Sequence, residues 1–226
     1  MSRDDSYQSA RTAMVHFLEE VGGMSNPRLL KSMATVPRHK FIPARYHPRA
    51  YHHIALPIGE QQIILPPIIA ATMLEALALT GTEQILEVGT GSGYLTALLE
   101  QLGHYVFSLE RSPRLAEAAA ARLYRLGYEQ LDVHLGDGSQ GLPDMAPFHA
   151  IIATSAVPRL PRPLAAQMYP DGGRMVIPIG DKKSQILQLI IRHGDQWQSR
   201  TLRSIQTTAL IGRFGFKPDS PPSVEV

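Results

Sequence analysis

The segment Ile85-Leu86-Glu87-Val88-Gly89-Thr90-Gly91-Ser92-Gly93-Tyr94 constrains the fold of this chain more than any other. An apolar run leads straight into three glycines at alternate positions, and a helical pattern follows. Glycine lets the backbone turn tightly and lets a ligand approach with no Cβ in the way. Open α/β sheets bind their ligands at such turns, at the carboxyl ends of strands. The chain beyond keeps the same rhythm. Strand-like runs at 84–88, 104–109, 131–135, 149–153 and 173–178 alternate with helical patterns at 95–102, 112–126 and 161–168. That alternation predicts an α/β fold, a Rossmann-like, doubly wound, mainly parallel sheet with helices on both faces.

Both flanks differ in texture. Residues 185–192 and 197–205 surround His193-Gly194-Asp195, a hairpin signal that predicts antiparallel C-terminal strands. Upstream, residues 8–23 repeat apolar side chains at helical spacing. Ser25-Asn26-Pro27 opens a second helix that Pro37 stops, and Leu65-Pro66-Pro67 opens a third. Residues 37–60 read as irregular.

The glycine spacing narrows the ligand. A dinucleotide fingerprint needs G-x-G-x-x-G, but its third glycine position is Tyr94 here, and no Gly-Lys-Ser/Thr follows as a phosphate loop requires. A nucleoside ligand without a pyrophosphate fits better, and S-adenosylmethionine (AdoMet) is the obvious one. Glu87, at the strand end, could balance its positive charges. Glu110 ends the next strand, 21 residues after Gly89, where an acid accepts both ribose hydroxyls. Asp137, between Gly136 and Gly138 after a third strand, could accept from an adenine amino group.

Composition excludes several alternatives. A formal net charge of +2 with scattered arginines argues against a nucleic-acid surface. The longest apolar stretch, 63–73, is broken by Pro66 and Pro67 and is too short to span a bilayer. The absence of cysteine rules out disulfides and thiolate metal sites and suits a cytoplasmic protein. His39, His47, His52 and His53 match no zinc spacing, so no metal is expected.

The chain resembles protein-L-isoaspartate O-methyltransferases. The resemblance covers about residues 10–215. It is carried by Val36-Pro37-Arg38-His39-Lys40-Phe41-Ile42-Pro43, Leu56-Pro57-Ile58-Gly59, the glycine loop, Ser108-Leu109-Glu110-Arg111, Arg125-Leu126-Gly127-Tyr128, Gly136-Asp137-Gly138 and Val176-Ile177-Pro178-Ile179-Gly180. It implies methylation of the α-carboxylate of isoaspartyl residues in damaged proteins, with AdoMet converted to S-adenosyl-L-homocysteine (AdoHcy). The ester then collapses to a succinimide that reopens partly to aspartate. It also implies a protein or peptide substrate and a monomer. The implied cofactor residues are Glu87, Gly89, Thr90, Gly91, Ser92, Gly93, Glu110, Arg111, Asp137 and Gly138. The segment 153–158 would lie beside the substrate, and Arg213 could meet a peptide carboxylate. We therefore expect one methyltransferase domain: residues 1–80 a helical cap with the acceptor loop, 81–216 the AdoMet-binding core, and 217–226 a disordered tail.

The chain departs from the family in that acceptor loop. Where the family has Gly-Gln-Thr-Ile-Ser-Gln-Pro, this chain has Gln61-Gln62-Ile63-Ile64-Leu65-Pro66-Pro67. Gln62 is kept, but the Thr and Ser hydroxyls are replaced by Ile63 and Leu65. Losing one hydrogen bond to a charged group costs about 1.5–3 kcal/mol, or roughly ten- to a hundredfold in rate. Weaker isoaspartyl methylation, another carboxylate acceptor (in a peptide natural product or small molecule), or a catalytically weak AdoMet-binding homologue would each follow from that loss.

Overall fold

The computed structural model describes residues 3–218, with side chains from Tyr7 onward. The chain opens with α1 (Arg3–Glu20) and α2 (Pro27–Thr35). Asn26 caps α2 by accepting from the backbone N–H of Arg28 and Leu29, and Pro27 takes the first-turn position where its missing N–H costs nothing.

Residues 37–60 hold more order than their composition suggests. Two short 3-10 turns, Arg38–Phe41 and Ala44–Arg49, lead into a hairpin of β1 (Leu56–Gly59) and β2 (Gln62–Ile64). Its turn, Glu60-Gln61, runs through left-handed backbone at φ +48° and +57°. Two-residue hairpin turns need that conformation and usually obtain it from Asn or Gly. Two long side chains there leave no turn signal in the sequence, so the hairpin is a correction to the irregular reading. Helix α3 (Pro67–Leu77) follows, opened by Pro67.

Next come β3 (Gln84–Val88), α4 (Tyr94–Leu102), β4 (Tyr105–Glu110), α5 (Pro113–Arg125), β5 (Leu131–Leu135), β6 (Ala150–Ala153), α6 (Arg162–Ala166), β7 (Asp171–Gly180), β8 (Gln185–His193) and β9 (Gln196–Ile205). The sheet order is β5-β4-β3-β6-β7-β8-β9. The first five are parallel, and β8 and β9 run antiparallel at the far edge. The mainly parallel sheet and its antiparallel close match the sequence reading.

Alternate strand residues feed two cores. Ile85, Ala150, Ile152 and Val176 pack with Leu18, Met33, Leu74 and Leu98 of helices α1–α4. Leu86, Val88, Ile151, Met175 and Ile177 pack with Leu164, Met168 and Leu210 on the opposite face. Each such Val, Leu, Ile or Met side chain contributes about 1.5–3 kcal/mol when fully buried, which sets strand register firmly. The chain leaves β3 toward β4 and returns on β3's other side as β6. That reversal opens a crevice at the strand tips, where open α/β sheets bind ligands.

Among the described residues no helix is long and apolar enough to cross a membrane. Most of the expected tail, 219–226, lies outside the described residues.

Candidate active site

The glycine loop sits at that crevice. Gly89 follows β3 at φ +98°, and a Cβ there would collide with Thr154 Oγ1 on the loop after β6. Gly93, at φ +83°, occupies the cap of α4 and lies against Leu123 and Ala119 of α5. The loop therefore turns tightly between two packed elements, as only glycine allows. Tyr94 opens α4 with its ring 1% exposed, edge-on to Phe41 at 5.6 Å. The position a dinucleotide site would reserve for glycine is thus filled by a packed aromatic ring.

Glu110, at the tip of β4, is 8% exposed and lines the cleft. Its Oε2 accepts from Gly91 N–H at 2.9 Å, and its Oε1 accepts from Arg111 N–H at 2.8 Å and Ser112 N–H at 2.9 Å. Three backbone donors fix the carboxylate and leave it further lone pairs for ligand hydroxyls. The cleft encloses about 1040 Å³, its open mouth included. Its lining includes Gly89, Thr90, Gly91 and Ser92 of the glycine loop with Glu110, Arg111 and Gly138, and also Gln62, Ile63, Ile64 and Leu65 of the hairpin; Gly93 is not among them. Ile58 of β1 also meets the loop: its Cδ1 lies 3.2 Å from where a Gly91 Cβ would stand. A nucleoside held by Glu110 and the glycine loop would therefore face the hairpin directly.

A family model for protein-L-isoaspartate (D-aspartate) O-methyltransferases matches residues 9–213.

The chain belongs to that family.

Its relatives include the protein-L-isoaspartate O-methyltransferase of Roseiflexus castenholzii, 43% identical over 216 residues, which cover 96% of this chain and 98% of the relative. That of Aeropyrum pernix is 43% identical over 221 residues, covering 95% and 84%. A solved protein-L-isoaspartate O-methyltransferase superposes with a TM-score of 0.80 at 25% identity, covering 91% of this chain and 67% of the other. A candidate from Plasmodium falciparum, solved in complex with AdoHcy, shares the fold with a TM-score of 0.75 at 20% identity, covering 89% and 98%. The present member is an AdoMet-dependent methyltransferase.

Two acids of this isoaspartyl methyltransferase-family protein stand outside the cleft lining. Glu87 is fully buried; its Oε2 accepts from Thr96 Oγ1 at 2.5 Å and Ser108 Oγ at 2.6 Å, and its Oε1 has no hydrogen-bond partner among the described residues. Thr90 of the glycine loop reaches the same Ser108 hydroxyl at 2.6 Å. Burial pushes the Glu87 carboxyl up to about 8. It therefore supports the loop from beneath as a mostly protonated group at neutral pH. Asp137 is occupied differently. Its carboxylate accepts from Ser139 N–H and Oγ, from Gln140 Nε2 and from Arg213 N–H at 2.7 Å. Burial alone would raise it, but the bonds from Arg213 and Ser139 hold it below the usual carboxylate range. Asp137 ties the segment 211–216 down over β5's tip, while its neighbour Gly138 lines the cleft. Arg213 contributes its backbone there, and its guanidinium lies over Phe214.

Glu87 makes stability pH-dependent. The fold holds its proton up to about pH 8, whereas the unfolded chain releases it near 4.5. Folding thus takes up a proton between those values, and stability falls as pH rises through the window. Urea unfolding of wild type and Glu87→Gln at pH 5 and pH 8.5 should show the variant gaining relative stability on the order of 4 kcal/mol across the range. A difference that stays constant with pH would mean that Glu87 is ionised in the fold.

The family block at 36–43 holds the acceptor hairpin. Arg38 is fully buried, and no carboxylate among the described residues pairs with it. Its Nε donates to Ala50 O at 2.8 Å and its Nη2 to Leu65 O at 2.7 Å. Its guanidinium stands 4.9 Å from the centre of the Tyr94 ring. Burial lowers it to about 10, so it stays cationic at neutral pH. His39 bonds Tyr51 Oη at 2.7 Å and stacks on Tyr7, and His47 meets both rings edge-on. These histidines pack the cap.

Sequence reading missed Thr207 and Thr208, which line the cleft beside Thr154 and Ser155. They follow β9 in coil, with no motif to announce them. A parallel bridge between Ala156 and Ala209 brings them to the strand tips.

Proposed function

We propose that this chain transfers a methyl group from AdoMet to the α-carboxylate of L-isoaspartyl residues in proteins; its relatives are named protein-L-isoaspartate O-methyltransferases. One observation carries the reading: the glycine loop with Glu110 and the family's acceptor hairpin share a single cleft. Glu110 would accept the ribose hydroxyls. Gly89, Thr90, Gly91, Ser92 and Gly93 would follow the ligand backbone-first, with Arg111 and Gly138 at the rim. Asp137 would act through Gly138 and the 211–216 segment, and Glu87 through Thr90. All these groups come from one chain, which is compatible with a monomer.

AdoMet, when held by Glu110 and the glycine loop, would supply an electrophilic methyl group: the carboxylate oxygen would form the new O–CH3 bond as the S–CH3 bond broke and left its electron pair on sulfur, giving AdoHcy. The protein's task is positioning. A carboxylate with a reference pKa of about 4 is already ionised at neutral pH, and no histidine is among the described residues that line the cleft. The charges of nucleophile and sulfonium shrink as they meet, so a dry site favours the transition state. Ile63, Leu65 and Leu95 supply that dryness, and orientation supplies most of the rest.

The test uses radiolabelled AdoMet with an isoaspartyl peptide and its aspartyl twin. Alkali-labile label on the isoaspartyl peptide alone is expected. Label on neither peptide, with AdoHcy bound normally, would favour a different carboxylate acceptor or a catalytically weak AdoMet-binding homologue instead.

A further inference from the structure

We propose that Ser155 and Thr208 clamp the acceptor carboxylate, in place of the hydroxyls missing from the hairpin. The inference rests on the isoaspartyl reading above.

A carboxylate entering this cleft gives up hydrogen bonds to water and needs donors in return. Ile63 and Leu65 on the hairpin wall offer none from their side chains. The same cleft is also lined by hydroxyl-bearing residues. Ser155 Oγ and Thr208 Oγ1 lie 3.2 Å apart, and both residues line the cleft. Ser155 Oγ is also 3.9 Å from the point a Gly89 Cβ would occupy, which places the pair beside the first glycine of the AdoMet loop.

The neighbouring hydroxyls are engaged with the backbone or the interior. Thr154 Oγ1 donates to Gly89 O at 3.2 Å, Thr207 Oγ1 donates to Thr154 O at 2.9 Å, and Thr90 Oγ1 is bonded to Ser108. Ser155 and Thr208 bond each other. Two hydroxyls carry two hydrogens, and their mutual bond uses one. Whichever residue donates, the other keeps an O–H for a carboxylate oxygen. Backbone bonds from Ala156 N–H to Thr208 O at 2.8 Å and from Leu210 N–H to Ala156 O at 2.7 Å hold the two segments together, so the pair is built before substrate arrives. Its neutrality suits the chemistry. A cation would stabilise the carboxylate more than the less charged transition state, whereas a hydroxyl orients it at smaller cost to nucleophilicity.

The experiment compares wild type with Ser155→Ala/Thr208→Val in two readouts. One is kcat/KM for the isoaspartyl peptide; the other is calorimetric binding of that peptide to AdoHcy-loaded protein. Both should fall roughly tenfold to a hundredfold, the equivalent of one hydrogen bond to a charged group, with AdoHcy affinity retained. Adding Leu65→Ser to the double variant should restore most of the loss. A double variant that binds and methylates the peptide like wild type overturns the clamp alone. A wild type that neither binds nor methylates isoaspartyl peptide overturns the functional reading, and the clamp with it. Should the double variant lose AdoHcy binding, the single variants decide. Low activity in Ser155→Ala with wild-type activity in the hydroxyl-retaining Thr208→Ser supports the clamp, and equal activity in both overturns it.

Discussion

Replacing Arg38 by alanine is expected to destabilise the protein by about 3–5 kcal/mol. The substitution leaves the carbonyls of Ala50 and Leu65 without their hydrogen-bond donors in a buried setting. An unpartnered buried acceptor costs about 1–3 kcal/mol, and the volume vacated beneath Tyr94 adds a cavity term. Loss of the charge works the other way, because the fold no longer bears the cost of desolvating a guanidinium without a carboxylate partner. The two lost hydrogen bonds and the cavity outweigh that relief. Arg38→Met, which refills much of the space, should recover part of the loss but not all, since both carbonyls stay unpaired. At about 2–4 °C per kcal/mol for a chain of this size, calorimetry should find the Ala variant melting at least about 6 °C below wild type. Melting within a degree of wild type would show that water or a rearranged loop takes over both carbonyls. The hairpin should also loosen first: amides of β1 and β2 should exchange faster in Arg38→Met than those of β3 and β4.

Replacing Glu110 by alanine is expected to weaken AdoHcy binding by at least about a hundredfold, with less effect on stability. Two hydrogen bonds from ribose hydroxyls to a carboxylate contribute about 1.5–3 kcal/mol each, and about 3 kcal/mol is already two orders of magnitude in Kd. The loop suffers as well. Gly91, Arg111 and Ser112 lose the acceptor that points their N–H groups inward, so the glycine turn is less pre-organised. Glu110→Gln keeps one carbonyl oxygen and should bind between the two. Titration calorimetry separates the outcomes. An alanine variant that binds AdoHcy as tightly as wild type would show that Glu110 only braces the loop.

Much of this was visible in one dimension, because local physics dictates it. The glycine loop announced itself through a strand, three glycines and a helix in immediate succession. The strands read at 84–88 and 131–135 fall on β3 and β5 residue for residue. Apolar strand-like runs and helix-starting prolines are likewise short-range signals. The β1–β2 hairpin was not visible, because its turn is made by Glu60 and Gln61 in a conformation their side chains do not advertise.

The sequence by itself determined the sheet, the class of ligand at its first strand tip, and the family whose acceptor loop it alters. Only the tertiary structure decided what each acid does. Glu87 and Asp137 read alike as strand-end carboxylates, yet one lies fully buried beneath the loop and the other ties down the 211–216 segment. It also decided that Thr208, 53 residues from Ser155, meets it at the cleft wall. Residue type states what a group can donate or accept. Which partners surround it, and whether water reaches it, depends on contacts between segments far apart along the chain, and those exist only once the sheet has closed.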